Sequence, residues 1–439
     1  MPRQDAAVSS GTPPLDSPTV DRPAARGGHA PRGGHAPLGG QAAPGGRAAQ
    51  APAPEAPARD GEAASPTAVC VGESMAVLLP DRPGPLEAVE NFHLSVGGAE
   101  SNVAGALAAL GVSSAWISRV GDDGFGRRLV GEVAARGVDV SAVAVDPHRP
   151  TGLYLKEVGG SSGARYDLGP GRSRLHYHRR GSAASALSPA LLEDPAAARL
   201  LAGARLLHLS GITAALSDDC LALLRALLAE RRPGRLTSFD LNWRPALWLD
   251  RDPAVLPPLL DAADLLLLGA DEGEAAFGTG DPLALRRRFP SPATVVVKDA
   301  ARTVTALERD GAAVTEPALA VEVVEATGAG DAFAAGYLAA TLRGLDQRRR
   351  LRLGHLSAAC ALTAHGDQAE LPPGPVVAAL LNASPGEWAA TRVSADGIVS
   401  PVLPAAVPPG PVPSASAGSA TGGGAPDHRP AASPALGAR

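Results

Sequence analysis

The chain has 439 residues, 45% of them apolar and 3% aromatic, with a formal net charge of -5. That charge lays down no basic field for nucleic acid, and so few aromatic rings offer no row of stacking platforms. The first residues lead into no apolar core of a signal segment and no uncharged apolar run approaches spanning length, so the expectation is a cytoplasmic protein with no membrane role.

Residues 1–66 are rich in Pro, Gly and Ala and carry a six-residue near-repeat, Gly27-Gly28-His29-Ala30-Pro31-Arg32 followed by Gly33-Gly34-His35-Ala36-Pro37-Leu38. Such a segment buries too little to offset its ordering entropy, so disorder is expected, and His29 and His35 read as incidental rather than as metal ligands. Order begins at the apolar run 68–73, a buried first strand. An outlying strand at 91–96 leads to a helix over 100–110, strand 114–120, a turn at Gly121-Asp122-Asp123-Gly124 and a helix over 127–136. This alternation predicts a parallel sheet with helices on both faces. Residues 151–158 and 163–177 break the rhythm and predict an antiparallel flap around Gly159-Gly160-Ser161-Ser162-Gly163. That turn matches a nucleophile-elbow pattern by letter, but lacks the strand before it and the helix after it.

The alternation then resumes with strand 206–210, helix 218–231, strand 236–241, an apolar segment 253–263, strand 265–268, helix 272–277 and strands 294–298 and 303–308. The last predicted helices cover 332–342, 348–365 and 375–381, and the tail from 385 to 439 is again Pro/Gly/Ala/Ser-rich and expected to be disordered. One folded domain over 67–384 follows, with a small lid from about 91–97 and 151–181. Cys70, Cys220 and Cys360 lack any C-x-x-C spacing and read as buried small hydrophobes rather than as a disulfide framework or zinc site.

Two glycine-rich stretches carry the chemistry. In Ala326-Thr327-Gly328-Ala329-Gly330-Asp331-Ala332-Phe333, the glycines end a strand-like run at 321–324 and a helix starts at once. Backbone N–H groups at such a helix start converge on one point with the positive end of the helix dipole behind them, which suits phosphate. Asp331 there either caps the helix or takes a proton from an attacking hydroxyl while the amides hold developing negative charge. Gly97-Gly98-Ala99-Glu100-Ser101-Asn102-Val103-Ala104 opens an earlier helix.

Together, G-G-x-x-x-N-x-A and T-G-A-G-D-A-F-x-x-G, in this order, resemble the two signature motifs of the PfkB (ribokinase-like) sugar kinase family, over roughly residues 67–381. The resemblance implies a Rossmann-like α/β sheet flanked by helices with a small β-sheet lid, and transfer of phosphate from ATP with Mg2+. It implies Asp331 as the base beside Gly328, Ala329 and Gly330 and nucleotide contacts from Lys298, Gly328 and Gly330; Glu272 is the candidate for arranging the metal through water, or else a surface residue that satisfies the dipole of the helix it opens. Lid strands of this type pair between subunits, which leaves a homo-oligomer open.

Substrate choice is read from the lid and the strand ends. Tyr177 and Arg179 share a face of the flap, and Arg244 follows the strand bearing Asp240 and Asn242. Two arginines over a neutral sugar would be costly; they suit a carboxylate, unless either pairs with a nearby acid. The phrases around Tyr154, Tyr177 to Leu187, His208 to Thr213 and Asp240 to Arg244 resemble the 2-keto-3-deoxygluconate kinase branch. That branch implies sugar-acid contacts from Gly98, Asn102, Tyr154, Tyr177, Arg179, Ile212, Arg244 and Asp367. A kinase for fructose, ribose or a gluconate-type acid, or a sugar-acid sensor without efficient transfer, are the alternatives.

Three motifs depart from the family pattern. Its N-x-x-E reads Gly269-Ala270-Asp271-Glu272, the acid opening the late motif is Glu325 rather than aspartate, and K-x-G-x-x-G reads Lys298-Asp299-Ala300-Ala301-Arg302-Thr303. A residue with a Cβ resists positive φ, so weaker or altered nucleotide use is expected.

Overall fold

The computed structural model describes residues 67–325, 327–364 and 370–407. The strands, in chain order, are β1 (Ala68–Val71), β2 (Met75–Pro80), β3 (Phe92–Gly97), β4 (Ser114–Gly121), β5 (Val143–Asp146), β6 (Leu153–Val158), β7 (Ser173–His178) and β8 (Leu206–Ser210). They continue as β9 (Leu236–Asp240), β10 (Leu265–Gly269), β11 (Thr294–Asp299), β12 (Thr303–Glu308), β13 (Ala313–Pro317), β14 (Ala320–Val321), β15 (Arg392–Ser394) and β16 (Gly397–Val399).

The main sheet runs β13-β12-β11-β10-β9-β8-β1-β4-β5. It is parallel from β5 to β11, and β12 and β13 are antiparallel to their neighbours. Its central strands are apolar on both faces because both faces are covered. Val69, Val71, Leu207 and Leu209 enter one core with the helix Asp218–Ala229, while Ala68, Cys70 and Leu206 enter the other with the helices Ala99–Ala109 and Ala329–Leu342. From β1 the chain builds outward one way through β4 and β5, then the other way from β8. The order therefore reverses between β1 and β8, and a crevice opens beyond their C-terminal ends, where open α/β sheets bind ligands.

The lid is a four-stranded sheet ordered β3-β2-β6-β7. Its second strand was not expected: only Gly72-Glu73-Ser74 separate Met75–Pro80 from β1, too few residues to signal a strand of a different sheet. The flap's return strand starts at Ser173, not near residue 163. The intervening loop folds on Asp167, which accepts N–H bonds from Gly160 at 2.7 Å and Gly169 at 3.1 Å. Ser162 donates its hydroxyl to the same carboxylate, as part of a turn.

All three cysteines are buried and free. No described helix is long and apolar enough to cross a membrane. The expected disorder of residues 1–66 lies outside the described residues.

The expectation of disorder from residue 385 fails over 385–407. There the helix Pro385–Ala389 and strands β15 and β16 fold back, and β14 pairs with β15. A few apolar anchors, diluted among Pro, Gly and Ala, are sufficient. Trp388 is fully buried, donates Nε1–H to Pro317 O at 2.9 Å, and lies under the Arg352 guanidinium at 4.9 Å. Trp388→Ala is expected to cost about 3–5 kcal/mol, read as a lower midpoint in urea unfolding; an unchanged midpoint would show that this segment adds nothing to the domain.

Candidate active site

Each half of the crevice is positioned by a glycine. Gly98 precedes the helix Ala99–Ala109, and a Cβ there would lie 2.4 Å from Glu73 O and 2.6 Å from Ser74 Cα, so only glycine permits the close approach. Gly328 adopts φ 81° and turns the chain into the helix Ala329–Leu342. The strand expected before it is only β14; beyond it Val323 is 56% exposed, and the chain is held by Val324 N–H and Glu325 N–H donating to Leu362 O. The first N–H groups of a helix have no partner within it, so residues 329–331 present theirs at its end.

Asp331 sits in that first turn and accepts from Asn102 Nδ2 at 3.0 Å. The two motifs therefore meet across 229 residues of chain. Both line a cavity of about 100 Å³ together with Gly98, Gly328 and Thr327. Tyr154, Tyr177, Arg179, Ile212 and Arg244 line the same cavity. Ile212 arrives from the end of β8 and Arg244 from beyond β9, both on the ligand edge of the sheet. Tyr154 and Tyr177 are cross-strand partners on the lid, with ring centroids 5.5 Å apart. Asp367 lies outside the described residues.

The two arginines differ. Arg179 is buried, forms an ion pair with Glu73 and stacks 5.5 Å from the Tyr177 ring. Glu73 also accepts from Ser182 Oγ at 2.6 Å. The charge of Arg179 is therefore met inside the protein. Arg244 is 42% exposed, 3.8 Å from Glu272 Oε1, and donates to Trp243 O at 3.0 Å. Asn242 makes the turn that delivers it, at φ 45°, a conformation asparagine tolerates better than most residues.

Lys298 lies on the other side of the glycine turn. Its Nζ is 3.0 Å from Asp240 and 3.9 Å from where a Cβ on Gly330 would stand. Burial alone would pull its ammonium down, but Asp240 and Glu272 outweigh that and hold it above its usual range. Burial pushes the Glu272 carboxyl up, with Lys298 opposing. Glu272 Oε2 accepts from Gly269 N at 2.7 Å and Oε1 from Trp243 N at 3.0 Å. Each Glu272 oxygen accepts one backbone N–H, which fixes the carboxylate's orientation and leaves one acceptor site on each for a divalent ion or for a water bound to it. Among the described residues no cluster of three His, Cys, Asp or Glu side chains could hold a metal directly.

Ala300 adopts φ 46° at the position where the resembled motif has glycine. Left-handed backbone costs a residue with a Cβ about 1–2 kcal/mol. Ala300→Gly is therefore expected to raise stability by roughly 0.5–1 kcal/mol after the extra freedom of the unfolded chain is subtracted, seen as a higher melting temperature; a lower one would mean that the turn is not strained. Thr303, at the second replaced glycine, simply opens β12.

Glu73 and Lys156 also belong to this region and were not singled out from the sequence, and Thr327, part of the late glycine motif, was given no role of its own. Glu73 follows β1 with no pattern announcing its partner, and Lys156 reads as one more polar residue of an alternating strand.

The model of the pfkB family of carbohydrate kinases matches residues 65–373. A 2-dehydro-3-deoxygluconokinase of Thermoproteus tenax is 37% identical, over 69% of this chain and 90% of that protein. One of Bacillus subtilis is 34% identical, over 72% and 95%. Among solved structures, a 2-dehydro-3-deoxygluconokinase of Thermotoga maritima superposes with a TM-score of 0.60 at 25% identity, covering 69% of this chain and 94% of that one.

Proposed function

Since the chain belongs to the pfkB family of carbohydrate kinases, we propose that it transfers the terminal phosphate of ATP to the 6-hydroxyl of 2-keto-3-deoxygluconate, the same compound as 2-dehydro-3-deoxygluconate. The observation that carries this reading is that Asp331, the Gly328 turn and the half-exposed Arg244 share one cavity beneath the lid. Relatives named for this sugar acid support it.

In this reading Arg244 grips the substrate carboxylate, and Tyr154 and Tyr177 wall the carbon chain. Gly98 lets the substrate approach the backbone. Asn102 holds the Asp331 carboxylate in position, and Asp331 removes the proton as the alcohol attacks. The amides of residues 329–331 and the nearby Lys298 ammonium meet the charge on the transferring group, which is where most of the catalysis in phosphoryl transfer lies. A divalent ion bound to the nucleotide phosphates would supply further charge neutralisation, with Glu272 reaching it through water. Use of ATP is consistent with the cytoplasmic location expected from the sequence, and pairing of two copies through the lid is compatible with the same reading.

A second reading, a sugar-acid sensor that transfers phosphate poorly, draws on the strained Ala300 turn. ADP release measured over a panel of sugars and sugar acids separates the two. Turnover greatest with 2-keto-3-deoxygluconate is expected; binding of that compound without ADP release would favour the sensor, and faster turnover of fructose or ribose would reassign the substrate.

A further inference from the structure

Lys156 has no part in the chemistry described so far, yet it joins the two halves of the site. It lies on lid strand β6, two residues after Tyr154 and therefore on the same face. Tyr154 looks onto the sugar cavity, and the Lys156 ammonium reaches the glycine turn. There it forms an ion pair with Glu325 and donates to Thr327 Oγ1 at 3.3 Å. Both members of the pair are largely buried, with side chains 14% and 16% exposed, so water screens the attraction less than at a surface. Val77, Leu79 and Leu175 enclose the contact.

The far end of this link is itself anchored. Glu325 N–H donates to Leu362 O at the end of the helix Gln347–Leu362, so its side chain spans from the body of the domain to the lid. Thr327 immediately precedes Gly328, whose φ of 81° sets the direction of the phosphate-facing amides. Lys298 stands on the body side just after this turn, its Nζ 3.9 Å from where a Cβ on Gly330 would be. The turn thus lies between two ammonium groups, one belonging to the sheet and one to the lid.

We infer that Lys156 is a positioning residue that couples the seating of the lid to the shape of the Thr327–Gly328 turn. The amides then take their phosphate-binding arrangement only when the lid covers the sugar. The inference rests on the proposed kinase reading and deepens it: the coupling denies the phosphoryl group to water, because a lid that is not seated leaves the turn without its second cation. In both outcomes the Pγ–O bond of ATP breaks and ADP leaves. The new P–O bond goes to the sugar alcohol when lid and turn are coupled; when the link is cut, the slower residual transfer takes place under an unseated lid and goes partly to water, giving inorganic phosphate.

The test uses the full-length protein with Lys156→Met, Glu325→Gln and the double variant, and Lys156→Arg as the variant that keeps the charge. For each, ADP and sugar phosphate are measured together. Wild type should release one ADP per sugar phosphate. Each single variant should lose about tenfold or more in kcat and release excess ADP, the double variant should be no worse than either single one, and Lys156→Arg should recover part of the stoichiometry. Hydrogen exchange of the β6 and β7 amides in ligand-free protein should quicken in Lys156→Met while that of β8 and β9 stays the same. Unchanged lid exchange with stoichiometry still at one, or single effects that multiply in the double variant, would overturn the inference. The exchange experiment needs no substrate, so a wild type that phosphorylates no sugar acid would count against the kinase reading alone.

Discussion

Asp331→Asn should lower turnover by about 10²- to 10⁴-fold while leaving sugar-acid binding nearly unchanged. Asparagine has the same shape and still offers an oxygen to Asn102 Nδ2, so the contact between the two glycine motifs, 3.0 Å in length, survives the substitution. What disappears is the negative charge and the ability to take a proton. Because the amide cradle, Lys298 and the lid are untouched, the loss should fall on kcat and leave the KM for the sugar little altered. A variant that keeps near wild-type turnover would remove Asp331 from the mechanism and return it to the helix-capping role that its place in the first turn also allows. A variant that loses sugar binding in parallel would make it a structural residue.

Arg244→Ala should weaken binding of the sugar acid by roughly 10- to 100-fold, the worth of a hydrogen bond to a charged group at about 1.5–3 kcal/mol, and hardly affect a neutral sugar such as fructose. The expectation follows from which cation is already satisfied. Arg179 is buried against Glu73, while Arg244 is 42% exposed and stands 3.8 Å from a glutamate whose oxygens already accept two backbone N–H bonds. The loop carrying it is stiffened by Trp243 stacked on Trp248, with centroids 5.4 Å apart, so the guanidinium is presented rather than free to wander. Calorimetry with both ligands decides the matter: equal weakening of acid and neutral sugar would mean that Arg244 shapes the pocket without reading the carboxylate.

The strands of the parallel sheet were legible because each is a short apolar run between turn residues, and the glycine motifs because a tight turn entering a helix has few alternatives in residue type. The missed elements share a different cause. β2 is parted from β1 by only Gly72-Glu73-Ser74, too short a break to signal a strand of another sheet, β5 and β13 are half-exposed edge strands, and residues 385–407 depend on Trp388, Val393 and Ile398 reaching a surface made by distant parts of the chain. Local pattern carries no record of such partners.

The same holds within the site. Many of the residues that gather at the cavity were readable from the motifs and the lid phrases, but Glu73 and its pairing with Arg179, 106 positions later in the chain, were not. Nor was the commitment of both Glu272 oxygens to backbone donors, which depends on Trp243 arriving from another strand end. In the Lys298 to Thr303 turn the sequence pointed to a conflict between a Cβ and positive φ, and the backbone at Ala300 carries that conflict at φ 46°.

In the proposed mechanism the phosphate of ATP passes to one alcohol of a sugar acid under the control of Asp331. Incubating wild-type protein with ATP and 2-keto-3-deoxygluconate and locating the transferred group by phosphorus NMR tests it most directly. A single phosphate ester on carbon 6, absent with Asp331→Asn, is the predicted result. A bound but unmodified sugar acid, or the same ester formed equally well by the variant, would contradict it.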